Sequence, residues 1–527
     1  EVETKNPTDY STQNKPHIAK GMAEIMTGKY QFLHDLKLDN MLHARIVRPP
    51  HYHCELESLN SDVLSRLQEE NIYVVQDGSF LAVAALQEYQ VVKAARRLSL
   101  AAKWKSVKQL SEENIYSQLT SNNKDSFFVE KGCIPSATAK IPDLEQIDGD
   151  ENKTIRATYR KPYHMHASIG PSAGCASYDG DALIVWTHNQ GVYPLRAAIT
   201  EAFDMATDKV TVQFVPGSGV YGHNGADDAA FDAAIIARHI KGHPILLKWT
   251  RDDEHSWEPY GSAMQCEIQA SIDKNGKISS WSHETFADTF LARPITGKQP
   301  ATRMVSSHYI EDALPWPIAE PMMVPHGGIH RNMEMLYEMP EPRLIKNRVY
   351  DLPLSTSALR TLGAYGNVFA NESMINELAE SANIDPFTFR LNHLKDERAI
   401  AVLSKLQHVM RDNSRDEEQF GHGIGFARYK NSAAYCAIGV CLSVNEAAEV
   451  KLHDAYIVCD AGEIVDAEGV RAQLEGGFIQ AASWTLYEQV LYDRDGIVSR
   501  DWDTYPIITF DNIPQMHTHL IVNPGMP

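Results

Sequence analysis

Residues 215–240, VPGSGVYGHNGADDAAFDAAIIARHI, limit most tightly how this chain can fold. A β-rich run, VTVQF, leads in, and Gly217, Gly219, Gly222 and Gly225 follow within nine residues. A helical pattern comes next, with Ala230, Ala233, Ala234 and Ala237 on one side. Strand, glycine loop and helix start together form an anion cradle. Glycine lets successive backbone N–H groups turn toward one point, and the helix start adds partial positive charge. Three local readings stay open: a structural turn, a dinucleotide site and a site for another phosphate-bearing cofactor. Gly217, Gly219 and Gly222 do spell the G-x-G-x-x-G dinucleotide fingerprint. Against it stand Pro216 at the turn and Asp227 with Asp228 at the helix start, where a pyrophosphate needs room; those acids suit the helix dipole and could serve only as caps. A ribose-binding acid is also expected about 20 positions on. The nearest strand-end acid, Asp252, comes later than that.

The chain has 527 residues, 43% of them hydrophobic, enough for several large cores and too many for a disordered chain. Asp and Glu outnumber Lys and Arg 69 to 49, for a formal charge of -20. That balance excludes nucleic acid and anionic membrane as main partners. Seven cysteines (54, 133, 175, 266, 436, 441 and 459) are scattered without a CxxC pair. They read as buried small hydrophobes, not as an iron–sulfur or structural zinc site. No apolar run reaches the ~18 residues of a membrane span. The first residues carry no signal-peptide pattern, although a segment removed on maturation leaves no trace.

Taken in order, residues 1–17 read as a flexible lead and 18–110 as a compact α+β unit. In that unit KYQFLHDL and MLHARIVRPP are expected strands. An Asp77-Gly78 hairpin follows, then a helix with apolar positions at 91, 92, 95, 98 and 100. Residues 111–153 read as a linker. From 154 to 420, strands joined by Gly-rich turns lead to THNQG (187–191), whose polar strand end is a natural ligand-facing position. His164 and His166 form an HxH pair, more simply hydrogen-bonded structure than a metal site. A hairpin turns at Asn275-Gly276, and residues 293–345 are expected to wind over the surface of a site. Arg360 beside Gly363 and Gly366 suits an anion as well as it suits a loop salt bridge. From 421 to 527 the texture is strands, then a helix carrying Gly476-Gly477 that suggests close packing, then HLIVNPGMP. The chain stops in a loop, so this last region reads as truncated at its C-terminus.

These stretches add up to a resemblance. GKYQFLHDLKLDNMLHARIVRPP, THNQG, the 217–225 loop, LRTLGAYGNVFANESMINELA with DPFTFRLNHL, and VCDAG…GVRAQLEGGFIQ…LYEQV…SRDWDTYP occur in that order. The chain resembles the molybdopterin-binding large subunit of the xanthine dehydrogenase/aldehyde oxidase family. YGHNGADD, WEPYGSAM after RDDEHS, and SRDWDTYP are similar to the isoquinoline 1-oxidoreductase and nicotinate dehydrogenase type. The resemblance implies an α+β fold, with an α/β hammerhead domain followed by a large mixed α/β molybdopterin-binding region. It implies a molybdenum-pterin cofactor, as molybdopterin or its cytosine dinucleotide form, and water-derived hydroxylation of an N-heteroaromatic or aldehyde substrate. Electrons would pass to a small [2Fe–2S] subunit and often onward to haem c on a c-type cytochrome subunit. A cytochrome-linked relative implies a periplasmic or periplasm-facing membrane-associated place, and a ferredoxin-linked one a cytoplasmic place.

Carried over residue by residue, Gln190 would hydrogen-bond an oxo or pterin group. Gly219, Val220, Tyr221 and Gly222 would present backbone amides, with Tyr221 near the metal's open side. Arg360 would anchor pterin or its phosphate, Leu362 would line the substrate pocket, and Glu258 and Tyr260 would stand where relatives carry a substrate arginine. No side chain of this chain is expected to ligate the metal directly. Purine-like substrates are not expected, and Ser168-Ile169-Gly170 replaces a glutamate that many relatives carry. Two family elements are missing: a GQG-type pterin-gripping turn and the catalytic glutamate, which would follow Pro527. Either the chain is a piece of a longer one or a further chain supplies both. The competing readings are a scaffold subunit that lost its metal and a nicotinamide-dependent dehydrogenase.

Overall fold

The computed structural model describes the chain except residues 1–4, 7–8, 12–17, 145–152, 291, 296, 318–319, 321, 413–419, 524 and 526–527. The expected lead, 1–17, therefore lies mostly outside the described residues. The described chain is mixed α+β, with three main sheets.

In chain order the elements that place the site are β1 (Leu42–Ile46), β2 (Tyr73–Asp77), β3 (Phe80–Ala85), α1 (Glu88–Ala101), α2 (Ile115–Ser121), β4 (Lys124–Val129), β5 (Thr154–Lys161), β6 (Ala173–Tyr178), β7 (Leu183–Thr187) and α3 (Val192–Ala202). Next come β8 (Val210–Phe214), α4 (Ala226–His239), β9 (Ile245–Lys248), β10 (Met264–Ile272), β11 (Ile278–Ala287), β12 (Arg343–Val349), α5 (Ala364–Ala382) and α6 (Glu397–Asp412). The last are β13 (Gly421–Arg428), β14 (Tyr435–Val444), β15 (Val450–Asp460), α7 (Ala467–Leu486) and β16 (Gln515–Ile521).

The first sheet runs β8-β7-β6-β9-β1-β3-β2. Its helix α4 is buried from Ala226 through Ala237. Small residues at 229, 230, 233 and 234 let it lie close on the sheet, within one core that also takes Leu183, Val185, Ile245 and Leu247. Leu42 pairs in parallel with Ile245, so the segment expected as a separate 18–110 unit shares a sheet with the region after residue 154. The Asp77-Gly78 hairpin forms as expected between β2 and β3. Val91, Ala94 and Leu98 bury one face of α1, while Leu100 is exposed. KYQFLHDL is not a strand: Leu33–Asp35 is a short 3-10 turn with Leu33 buried.

The second sheet runs β4-β12-β11-β10-β5. Here the linker reading of 111–153 is corrected. Residues 115–121 form α2, and 124–129 form an edge strand that pairs Val129 with Leu344 and Lys124 with Val349. The pairing buries Phe127 and Val129, which a free linker would leave in water. The hairpin at 273–277 joins β10 and β11 as expected. Residues 293–345 wind over the surface only in part, with 297–299, 311–313 and 324–325 exposed. Ala301, Met304, Ser306, Ser307 and His330 are buried, and short 3-10 turns hold the path.

The third sheet runs β13-β14-β15-β16, with β14 and β15 antiparallel. Val402, Leu403, Leu406 and Val409 of α6 share a core with Tyr435, Tyr456 and Val458. Among the described residues, one core thus spans both sides of the boundary expected at residue 420.

Candidate functional site

The glycine loop owes its shape to one close approach. Gly222 has φ +137°, and a Cβ there would lie 1.8 Å from the Ala358 carbonyl oxygen. Only glycine lets these two backbones meet. Gly222 bridges Leu359 in antiparallel fashion, His223 N donates to Ala358 O at 2.8 Å, and Arg360 N donates to Tyr221 O at 2.7 Å. The loop is thus zipped to residues 358–360. The fingerprint glycine Gly222 serves this backbone contact.

Gln190, just past β7, donates from Nε2 to Gly222 O at 2.5 Å. The three places singled out from sequence therefore meet. Gln190, Tyr221, Gly222, Arg360 and Leu362 all line one cavity of about 800 Å³. Tyr221, Thr361 and Leu362 hold left-handed backbone at φ 45°, 72° and 52°. Non-glycine residues adopt that region at a cost and mostly where function or tight packing requires it.

The facing wall is α7. Ala472, Gly476, Gln480 and Trp484 line the cavity at four-residue spacing, and Glu488 continues the stripe just past the helix end. Side chains four apart share a helix face. The Arg360 guanidinium spans to this wall, donating to Gln473 O at 3.1 Å and Gln480 Oε1 at 3.2 Å. Close packing was the sequence reading of the Gly476-Gly477 pair. At Gly476 the finding is the reverse: a Cβ would meet no atom within 4 Å.

A buried polar layer stiffens the loop wall from behind. Asp227 accepts from Asn189 Nδ2 at 2.6 Å and lies 2.9 Å from His223 Nδ1. The helix-start acid thus ties strand end to loop and is more than a cap. Asp228 accepts from Val305 N, and burial pushes its carboxyl up to about 8. His166 N donates to Glu258 Oε1 at 2.8 Å, and its ring lies 3.1 Å from Glu258 Oε2 and 3.2 Å from Ala358 O. Burial first, then the charge of Glu258, push Glu254 upward; it accepts from Ser172 and Asn224. The Ser168 hydroxyl donates to Gly219 O.

Four expected site residues do not reach the cavity. Gly219 is exposed and engaged by Ser168, and Val220 is half-buried beside it. Glu258 and Tyr260, expected in the substrate pocket, are fully buried behind it. Tyr260 donates to His255 O at 2.6 Å and pairs with Thr356, and Glu258 stands behind His166. The 358–360 segment forms the cavity wall in front of this layer. Of the HxH pair, His164 is buried and stacks on Trp484, while His166 lines the cavity with its ring against Glu258 and Ala358. Sequence reading missed Trp484, Glu488, Arg293, Ile507 and Ile508, which also line the cavity. The 472-476-480-484-488 spacing was the available signal for the first two.

Two family profiles, each described as a molybdopterin cofactor-binding domain, match residues 137–309 and 371–514, together more than half the chain. A nicotinate dehydrogenase subunit of Pseudomonas putida is 30% identical over 94% of this chain and 41% of its own length. The beta subunit of isoquinoline 1-oxidoreductase from Brevundimonas diminuta is 26% identical over 60% of this chain and 38% of its own. The chain spans less than half the length of these curated relatives. Quinoline 2-oxidoreductase of Pseudomonas putida 86 shares the fold, with a TM-score of 0.76 at 12% identity over 98% of this chain and 92% of that one. No helix among the described residues is long and apolar enough to cross a membrane. With both profiles falling on the segments that build the cavity, the chain belongs to the molybdopterin-binding subunits of the xanthine dehydrogenase/aldehyde oxidoreductase family of oxidoreductases.

Proposed function

We propose that the 800 Å³ cavity holds the molybdenum-pterin and, beside it, an N-heteroaromatic or aldehyde substrate. The convergence of Gln190, the Tyr221–Gly222 backbone and Arg360 on one wall carries this reading. The donor set fits a pterin, whose polar edge takes amide and guanidinium hydrogen bonds. Gly476 lines the cavity and a Cβ there would meet no atom within 4 Å, which leaves room for a ligand against that face of α7.

Gln190 and Arg360 would hold the pterin, with Leu362 toward the substrate. The group supplies, when bound, the two-electron oxidation of a substrate carbon with water as the oxygen source. The chain's share is to bind, orient and exclude water. Arg360, fixed by three backbone and side-chain contacts, is preorganised for an anionic or carbonyl edge. The names of the two curated relatives support an N-heteroaromatic substrate. A [2Fe–2S] subunit as electron acceptor follows from the same resemblance. Metal analysis of the purified assembly tests the reading. About one molybdenum per copy, falling at least tenfold in Arg360→Met, is expected. A metal-free assembly would favour a scaffold subunit.

A further inference from the structure

The cavity has a second polar feature, on the α7 side. Glu488 is the only acidic side chain among its described lining residues. It is 5% exposed and continues the α7 stripe beyond Trp484. Its carboxylate position is fixed: the Tyr505 hydroxyl accepts from Met165 N at 2.8 Å and donates to Glu488 Oε2 at 2.7 Å. Tyr505 is itself fully buried. No cation pairs with Glu488 among the described residues.

The groups facing it are Tyr505, Ser483, Glu258, His164 and Tyr365, with His166, Arg360 and Arg293 elsewhere on the cavity lining. Burial pushes its carboxyl up to about 7, against the hydrogen bonds of Ser483 and Tyr505 and with the charge of Glu258 adding to the rise. Trp484, Ile507 and Ile508 line the same cavity. The Trp484 indole is held in place by stacking on His164, with centroids 5.6 Å apart at 11°. A flat apolar surface with one fixed hydrogen-bonding group is how proteins recognise heteroaromatic rings.

Resting on the reading of this cavity as the substrate site, we infer that Glu488 faces the substrate and donates its carboxyl proton to a ring nitrogen, selecting N-heteroaromatic over carbocyclic rings. Glu488 is a specificity-determining residue in this account. Its neutral form donates to the nitrogen lone pair, and its ionised form repels it.

Calorimetric titration of the full assembly, without an electron acceptor, tests this with pyridine-3-methanol and benzyl alcohol, which differ in the ring nitrogen. The wild type is expected to prefer the pyridine about tenfold at about pH 6, shrinking below about threefold by about pH 8.5. Glu488→Gln, still a donor but unable to titrate, should hold its preference constant across that range. Glu488→Leu should show none; should it not fold, the Gln variant decides. A wild type without preference, or a Glu488→Gln variant keeping the wild-type pH dependence, overturns the inference and leaves the cavity reading standing. Neither alcohol binding the wild type at millimolar concentration overturns that reading, and the inference with it.

Discussion

Gly476 separates stability from cofactor loading. It lies inside the helix Ala467–Leu486, where glycine costs about 0.8–1 kcal/mol relative to alanine. A Cβ at 476 meets nothing within 4 Å, so alanine introduces no clash within the chain. Gly476→Ala should therefore raise the stability of the metal-free chain by about 0.5–1 kcal/mol, read from urea unfolding. The same methyl projects into the cavity. If the pterin packs against this helix, Gly476→Ala should lower molybdenum content, and Gly476→Leu should lower it by about tenfold or more while the protein stays folded. Both variants loading metal like the wild type would refute the placement of α7 as the far wall. A loss of stability in Gly476→Ala would refute the open space on which the argument rests.

Asp227→Ala removes the acceptor shared by Asn189 and His223 and should cost about 2–4 kcal/mol in chemical denaturation, with weaker molybdenum retention because the strand end next to Gln190 loses its tie to the loop. Glu372→Ala leaves the fully buried Arg390 without its carboxylate partner; a loss of about 3–5 kcal/mol is expected in the same assay. Asp228 has a folded pKa raised to about 8 by burial, so its contribution is fully present below the unfolded carboxylate value and is lost as pH rises through about 8. Asp228→Asn should flatten the decline of melting temperature between about pH 4 and about pH 8, and an unchanged decline would contradict this. Gly222→Ala should unfold at lower urea concentration, because its Cβ meets the Ala358 carbonyl.

The site was legible where its signals are local. The strand–glycine–helix order at 210–239, the strand end at Asn189–Gln190 and the Arg360 turn each announce themselves in one continuous stretch of sequence. Long-range pairing hid the rest. DSFFV at 125–129 is too short and too flanked by polar residues to read as a strand, and its partner lies more than 200 residues away. Glu258 and Tyr260 look like pocket residues by order along the chain, yet the 358–360 segment covers them. Glu488 sits past the end of its helix, so only the four-residue spacing continued from Trp484 points to it.

The account turns on where the metal sits. An anomalous difference map recorded at the molybdenum edge from crystals of the assembly locates it directly. A single peak in the cavity between Tyr221, Arg360 and the Gly476 face of α7 is the predicted result. A peak outside that cavity, or an 800 Å³ space filled by protein from a partner chain, would contradict it.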